Sequence, residues 1–206
     1  MGPQDDRWMQ RWLPQLRAAA GSTPVLELGC DTGGDTAWLL DQGFAVVAGD
    51  IAQAALRTCA GNAPAAHLLL LDLRQPLPFA DGAFGAVIAS LCLHYFDWAT
   101  TERAVAEVQR CLRPGGLLLC RLNSTADVHH GAAGFAEIEP HYYRVHGRYA
   151  ECKRFFDAAD IRRLFGRGWA PLALAEHTIH RYEQPKVAWE VVLRRQGPPE
   201  TARIRA

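Results

Sequence analysis

Short, nearly continuous apolar runs alternate with amphipathic stretches through the first 123 of the chain's 206 residues, and this rhythm leaves few folds open. "VLELG" (25–29), "FAVVAGD" (44–50), "AHLLLLD" (66–72), "GAVIASL" (85–91) and "LLLCRLN" (117–123) read as strands. Residues 35–42, 52–60 and 101–112 read as helices: Gly43 ends the first, Gly61 and Asn62 the second, and Val105, Val108 and Leu112 share one face of the third. Asp35 and Thr36 offer N-cap chemistry, and "RPGG" (113–116) reads as a turn. Strands this apolar need cover on both faces, which the alternating helices supply. The fold class is α/β, a doubly wound, mostly parallel sheet in a single domain over residues 1–206.

Residues 5–20 read as an N-terminal helix with Trp8, Trp12 and Leu16 on one face, kinked or split at Pro14. Beyond the fifth strand, residues 124–156 break the rhythm with a long stretch rich in glycine, histidine and aromatics. Such a loop is usually functional, and it leaves the carboxyl edge of the sheet, where open α/β folds bind ligands. A substrate lid is expected there, with His141, Tyr142, Tyr143, Arg144 and Phe155 roofing the site and Asn123 at the strand end orienting substrate or holding the lid. A helix capped by Asp157 and two strands, 170–179 and 186–195, follow. The alternation Val187, Trp189, Val191, Leu193 suits an antiparallel strand at the end of the sheet.

Twenty-two basic residues balance twenty-two acidic ones, so there is no electrostatic footprint for nucleic acid or an anionic membrane. With no apolar run near the roughly 20 residues of a membrane span, the expected location is cytoplasmic. The six cysteines form no C-x-x-C pair and are expected to be reduced, buried thiols, Cys30, Cys92 and Cys120 among them. His129, His130, His141 and His146 match no metal-ligand spacing, and no metal is expected.

The turn "LELGCDTGGDT" (26–36) lies where a dinucleotide fold places its glycine-rich loop, but Asp31 stands where the second glycine would admit a pyrophosphate. At about 4 Å, its repulsion of a dianion is on the order of a kcal/mol even in a high dielectric. A nucleoside with cationic groups and no phosphate, such as S-adenosyl-L-methionine, suits the turn better. Glu27 adds a second acid, Gly29 and Gly33 permit close approach, and the following helix offers its N–H groups to a carboxylate. Asp50 closes the second strand, 21 residues after Gly29, where an acid accepts ribose hydroxyls. Asp72 closes the third, where a carboxylate accepts an adenine amine and the Leu73 N–H a ring nitrogen.

In these stretches, together with "LLLLDLRQPLPFADGAFGAVIASLCLHYF" and "RCLRPGGLLLCRLN", the chain resembles the class I S-adenosylmethionine-dependent methyltransferases over roughly residues 24–123. Among subfamilies it is most similar to the small single-domain enzymes that include the tellurite-resistance type. The resemblance implies a Rossmann-like seven-stranded sheet, mostly parallel with the last strand antiparallel, and S-adenosyl-L-methionine as cofactor. Carried over by position, Glu27, Gly29 and Gly33 hold the methionine end, Asp50 with Ile51 the ribose, and Asp72 with Leu73 the adenine. Asp31 departs from the family pattern, as does Gly85, which replaces an aspartate entering the fourth strand and is expected to cost local stability.

The family places substrate-facing residues after the fourth strand, in "SLCLHYFDW", which makes His94 and Tyr95 the candidate catalytic residues. His94 is a candidate general base, or equally a packed histidine shaping the pocket. Neutral charge and a roofing insertion favour a small-molecule acceptor over nucleic acid. A protein or RNA methyltransferase, a non-catalytic S-adenosylmethionine-binding module and a nicotinamide oxidoreductase remain the rival readings.

Overall fold

The computed structural model describes residues 7–146, 151–180 and 182–197. Seven strands form one sheet: β1 (Val25–Leu28), β2 (Val46–Asp50), β3 (His67–Leu70), β4 (Phe84–Ser90), β5 (Leu112–Asn123), and two later strands, β9 (Trp169–Ile179) and β10 (Lys186–Arg195). Their order is β3-β2-β1-β4-β5-β10-β9. All neighbours pair in parallel except β10, which is antiparallel to both β5 and β9. The last strand is therefore the antiparallel one, as the sequence implies. The strand order reverses at β1 and β4, which opens a crevice above their carboxyl ends.

The two faces follow from side-chain alternation along each strand. Leu26, Leu28, Val87, Ala89, Leu118 and Cys120 pack on one side with α4 (Trp98–Cys111) and α5 (Ala158–Leu164). Val25, Val46, Ala86, Ile88, Leu117 and Leu119 pack on the other with α1 (Leu13–Ala20), α2 (Gly34–Asp41) and α3 (Gln53–Asn62).

Local chemistry moves several boundaries from where the sequence sets them. Pro14 sits in the first turn of α1, where a missing N–H is harmless, and a short 3-10 turn at Gln10–Trp12 precedes it. Residues 5 and 6 lie outside the described residues. Asp35 and Thr36 do not cap α2; Gly33 does, in the left-handed conformation at φ 87° and without a side-chain bond. "RPGG" is no separate turn but a bulge inside β5. The register jumps from Phe84↔Leu112 to Ala86↔Leu117, and Gly115 takes φ 79°.

Gly85 also corrects its expectation. A Cβ there would lie 2.0 Å from the Ala19 carbonyl oxygen, so the missing side chain is what lets α1 pack on β4. The 124–156 stretch is not wholly loop: β6 (Ala136–Glu139), β7 (Tyr142–Arg144) and β8 (Cys152–Arg154) form a small antiparallel sheet in it. Asp157 caps α5 as expected, in a reciprocal capping box with Asp160. No described helix is long and apolar enough to cross a membrane.

Candidate functional site

β1 carries Glu27 into the crevice, where its side chain is almost fully buried and accepts a hydrogen bond from Thr36 Oγ1 at 2.6 Å. Burial, then the neighbouring Asp35, push its pKa from 4.5 up to about 8; Asp50 adds to the rise and the Thr36 bond opposes it. Among the described residues no cation is paired with it. A buried acid with only acids around it is complementary to a positively charged ligand group.

The turn after β1 is held by backbone conformation. Gly29 has φ 69° and Gly33 φ 87°. A methyl on Gly29 would lie 2.5 Å from Cys92 Cβ, and one on Gly33 would lie 2.7 Å from Cys59 Sγ. Asp31 also has positive φ, 46°, and is exposed, while its N–H donates to Asp50 Oδ2 at 3.0 Å. Asp50 Oδ1 accepts the Ala52 N–H at 2.8 Å. Each Asp50 oxygen retains a lone pair for a ligand hydroxyl. Ile51 beside it is 57% exposed, an apolar side chain left uncovered at the strand end.

Asp72 lies two residues past the end of β3 and is already engaged. Arg74 forks onto it, with Nε to Oδ1 at 2.9 Å and a terminal nitrogen to Oδ2 at 2.8 Å, and the Arg74 N–H donates to Oδ1 as well. These bonds hold the Asp72 carboxyl below its ordinary range. An incoming amine has to share this carboxylate with Arg74, which the sequence spacing does not reveal. Leu73 beside it is half-buried.

After β4 the chain turns sharply at Leu91, a leucine with φ 57°, a strained conformation of the kind that gathers at functional sites. His94 follows, 2% exposed, its ring 4.4 Å from that of Tyr95 and its Nδ1 without a hydrogen-bond partner. Burial, then the charges of Lys186 and Lys153, hold its pKa well below 6.5, so the imidazole is neutral at neutral pH. Asn123, buried at the end of β5, donates from Nδ2 to the Arg154 carbonyl at 3.3 Å and leaves Oδ1 unpartnered.

The insertion is fastened to this segment by Arg154, a buried cation that sequence reasoning passed over. Its N–H donates to the His94 carbonyl at 2.7 Å. Its guanidinium donates to Phe96 O, Pro140 O and Glu139, and lies over the rings of Trp98 and Tyr142. The lid candidates divide accordingly. Tyr142 reaches the Tyr95 carbonyl at 3.5 Å, and Tyr143 packs edge-on to Phe155. Phe155 is itself buried in the body of the protein, and Arg144 is exposed.

His141 turns away, its Nδ1 2.7 Å from Asp160 Oδ2. With Asp157 it forms a cluster whose ligand atoms lie within 4.8 Å of one another, but the two acids are occupied in the α5 capping box. Of the four histidines weighed for a metal, only His141 is in that cluster. Cys30, Cys92 and Cys120 are buried and burial raises each thiol's pKa, so all three are neutral packing groups at neutral pH.

The N-terminal segment also reaches the crevice. Trp8 donates from Nε1 to Asp35 Oδ2 at 3.2 Å, and the Arg121 guanidinium lies 4.5 Å from its ring centroid. A tryptophan ahead of the first strand has no spacing signature pointing to this contact.

Comparison with known proteins places this geometry. A family model described as a methyltransferase domain matches residues 26–120. An uncharacterized methyltransferase of Synechocystis sp. is 34% identical over 113 residues, 55% of this chain and 52% of its own. A malonyl-[acyl-carrier protein] O-methyltransferase of Herminiimonas arsenicoxydans is 34% identical over 133 residues, 63% of this chain and 48% of its own. The chain thus spans about half the length of these relatives. Among solved structures, a SAM-dependent methyltransferase from Methanosarcina mazei superposes with a TM-score of 0.76 at 16% identity, covering 90% of this chain and 98% of that one. Residues 26–120, which take in the glycine turn, Glu27, Asp50, Asp72 and the segment after β4, match the methyltransferase domain family, and the chain has the fold of the class I S-adenosylmethionine-dependent enzymes.

Proposed function

We propose that the protein is an S-adenosylmethionine-dependent methyltransferase acting on a small-molecule acceptor. Glu27 carries this reading: a buried carboxyl without a cation, flanked by acids, suits the ammonium and sulfonium of this cofactor and no phosphate. Around it, Asp50 would hold the ribose hydroxyls. Asp72 and the Leu73 N–H would hold the adenine, and the first turn of α2, which no side chain caps, the methionine carboxylate. When bound, the cofactor supplies an electrophilic methyl group.

The chain's own residues would orient the acceptor and keep water out. Tyr95 and Tyr142, joined through the Tyr95 carbonyl, would form one wall, and buried His94 another. As a neutral imidazole with a free Nδ1, His94 would be in the protonation state for accepting a proton from an acceptor hydroxyl or amine. A solved relative in fold, the 1,6-didemethyltoxoflavin N1-methyltransferase of Burkholderia thailandensis, has been seen with its small-molecule substrate and S-adenosylhomocysteine bound (TM-score 0.66, 18% identity, 93% of this chain and 82% of that one). It supports a small acceptor for this chain.

Calorimetric titration with S-adenosylmethionine, S-adenosylhomocysteine and NADH tests the reading. Micromolar binding of the first two and none of the third is expected. Binding of NADH alone would overturn it in favour of an oxidoreductase.

A further inference from the structure

Asp50 and Asp72 stand near successive strand ends, but the chain leaves them in different states for a ligand. Asp50 uses one bond per oxygen, to the N–H groups of Asp31 and Ala52, and keeps acceptor capacity on both. Asp72 keeps none. Arg74 makes four bonds to it: its backbone N–H and its Nε each reach Oδ1 at 2.9 Å, while Nε and a terminal nitrogen reach Oδ2 at 3.1 and 2.8 Å. An ionised carboxylate offers about four lone-pair sites, so a single residue fills them all.

The backbone and side-chain parts of this contact have different consequences. The Arg74 N–H closes a turn onto the Asp72 side chain, and the Gln75 N–H closes another onto the Asp72 carbonyl at 2.9 Å. These two bonds hold the carboxylate in position whatever side chain residue 74 carries. The guanidinium, by contrast, has no second partner among the described residues, and the Arg74 side chain is 57% exposed. It can leave the carboxylate for water without repacking a neighbour. The ion pair therefore covers an acceptor and does not brace the fold.

We infer that Arg74 is a specificity-determining residue of the cofactor site: its fork competes with the exocyclic amine of adenine for Asp72 and swings off when that amine bonds. The inference rests on the methyltransferase reading, which assigns Asp72 to the adenine. Each bond the amine gains is offset by a bond the guanidinium loses. The chain thus draws less of its cofactor affinity from the amine than an uncovered aspartate would provide. Because the pair is exposed and solvent-screened, the competition changes affinity by a modest factor and does not close the site.

The test is calorimetric titration of the full chain and of Arg74→Ala with two probes. One is S-adenosylhomocysteine, and the other is its analogue with hydrogen in place of the exocyclic amine. Neither carries a sulfonium, so deleting the positive charge at residue 74 does not tighten binding by relieving repulsion there. S-adenosylhomocysteine is expected to bind Arg74→Ala about threefold to fivefold more tightly, the scale of an exposed ion pair, and the analogue equally to both proteins. Arg74→Lys, which keeps the charge without the fork, is expected to fall between. In an Asp72→Ala background the gain from Arg74→Ala is expected to vanish. Misfolding does not produce a gain in affinity. Unchanged or weaker S-adenosylhomocysteine binding in Arg74→Ala, an equal gain for the analogue, or a gain that persists without Asp72 would overturn the inference. If S-adenosylhomocysteine binds the unmodified chain and ignores residue 74, only the competition fails; if it does not bind that chain at all, the cofactor reading fails and the inference with it.

Discussion

A buried carboxyl whose pKa stands near 8 ought to report cofactor binding as a proton count. At pH 7 a group with that pKa is about 90% protonated, so Glu27 is an uncharged acid in the free protein. A cationic ligand group beside it favours the carboxylate, and binding should release about 0.9 proton at pH 7. Below pH 8, apparent affinity should rise about tenfold per pH unit as deprotonation stops opposing binding. Calorimetry with S-adenosylhomocysteine at pH 7 in phosphate and in Tris separates the proton from the binding heat, because the two buffers take up protons with different enthalpies. Glu27→Gln removes the ionisable group and should bring the proton count to near zero, with weaker binding at pH 8. The same shift fixes a stability trend. The folded-state pKa is raised above 4.5, so the folded protein binds the proton more tightly than the unfolded chain, and stability falls as pH climbs from 4.5 to 8. By pH 7 that amounts to about 3 kcal/mol, and Glu27→Gln should recover a good part of it as a higher Tm in the ligand-free protein. Cofactor binding at pH 7 with no proton release, or with the release unchanged in Glu27→Gln, would refute the assignment of Glu27 to the cationic end of the cofactor.

Asp50→Ala removes the acceptor for two backbone N–H groups as well as for a ribose, so it should weaken S-adenosylhomocysteine at least a hundredfold and cost about 1–3 kcal/mol of stability, read by calorimetry and thermal melts; unchanged affinity would sink the ribose role. Gly85→Ala drives a methyl onto the Ala19 carbonyl and should destabilise the fold by about 1–3 kcal/mol or more, with cofactor affinity kept in the folded fraction. Arg154→Leu unfastens the insertion from Phe96, Pro140 and Glu139, and hydrogen exchange should speed up across 136–146 while β1 to β4 stay protected; uniform protection would show that the insertion is held by other contacts.

The strand-and-helix rhythm was legible because a parallel sheet covered on both faces leaves a mark on every residue of every strand. So was the placement of Glu27, Asp50 and Asp72 at or near successive strand ends, since spacing along the chain fixes it. What was hidden depends on partners far apart in sequence. Arg154 and Phe96 are brought together across 58 residues, Lys186 and Asp127 across 59, and no local pattern records either. Gly85 was misjudged for the same reason, because the atom that excludes a side chain there belongs to α1. The small sheet of β6, β7 and β8 escaped notice because its strands run only three or four residues, too few for alternation to stand out from a loop.

Asp31 joins the local and the distant levels. Its position demands a left-handed backbone, which glycine meets freely and aspartate meets better than most side chains. The turn does not require the absence of a side chain there. The groups that need close packing are Gly29 against Cys92 and Gly33 against Cys59, while the Asp31 side chain is exposed. What position 31 contributes inward is its N–H, which helps hold the Asp50 carboxylate at the strand end. A carboxylate outside the turn adds negative potential on the side where a phosphate would be repelled and a sulfonium tolerated. The feature that first argued against a dinucleotide is thus a backbone donor to Asp50 and an exposed negative charge beside the turn.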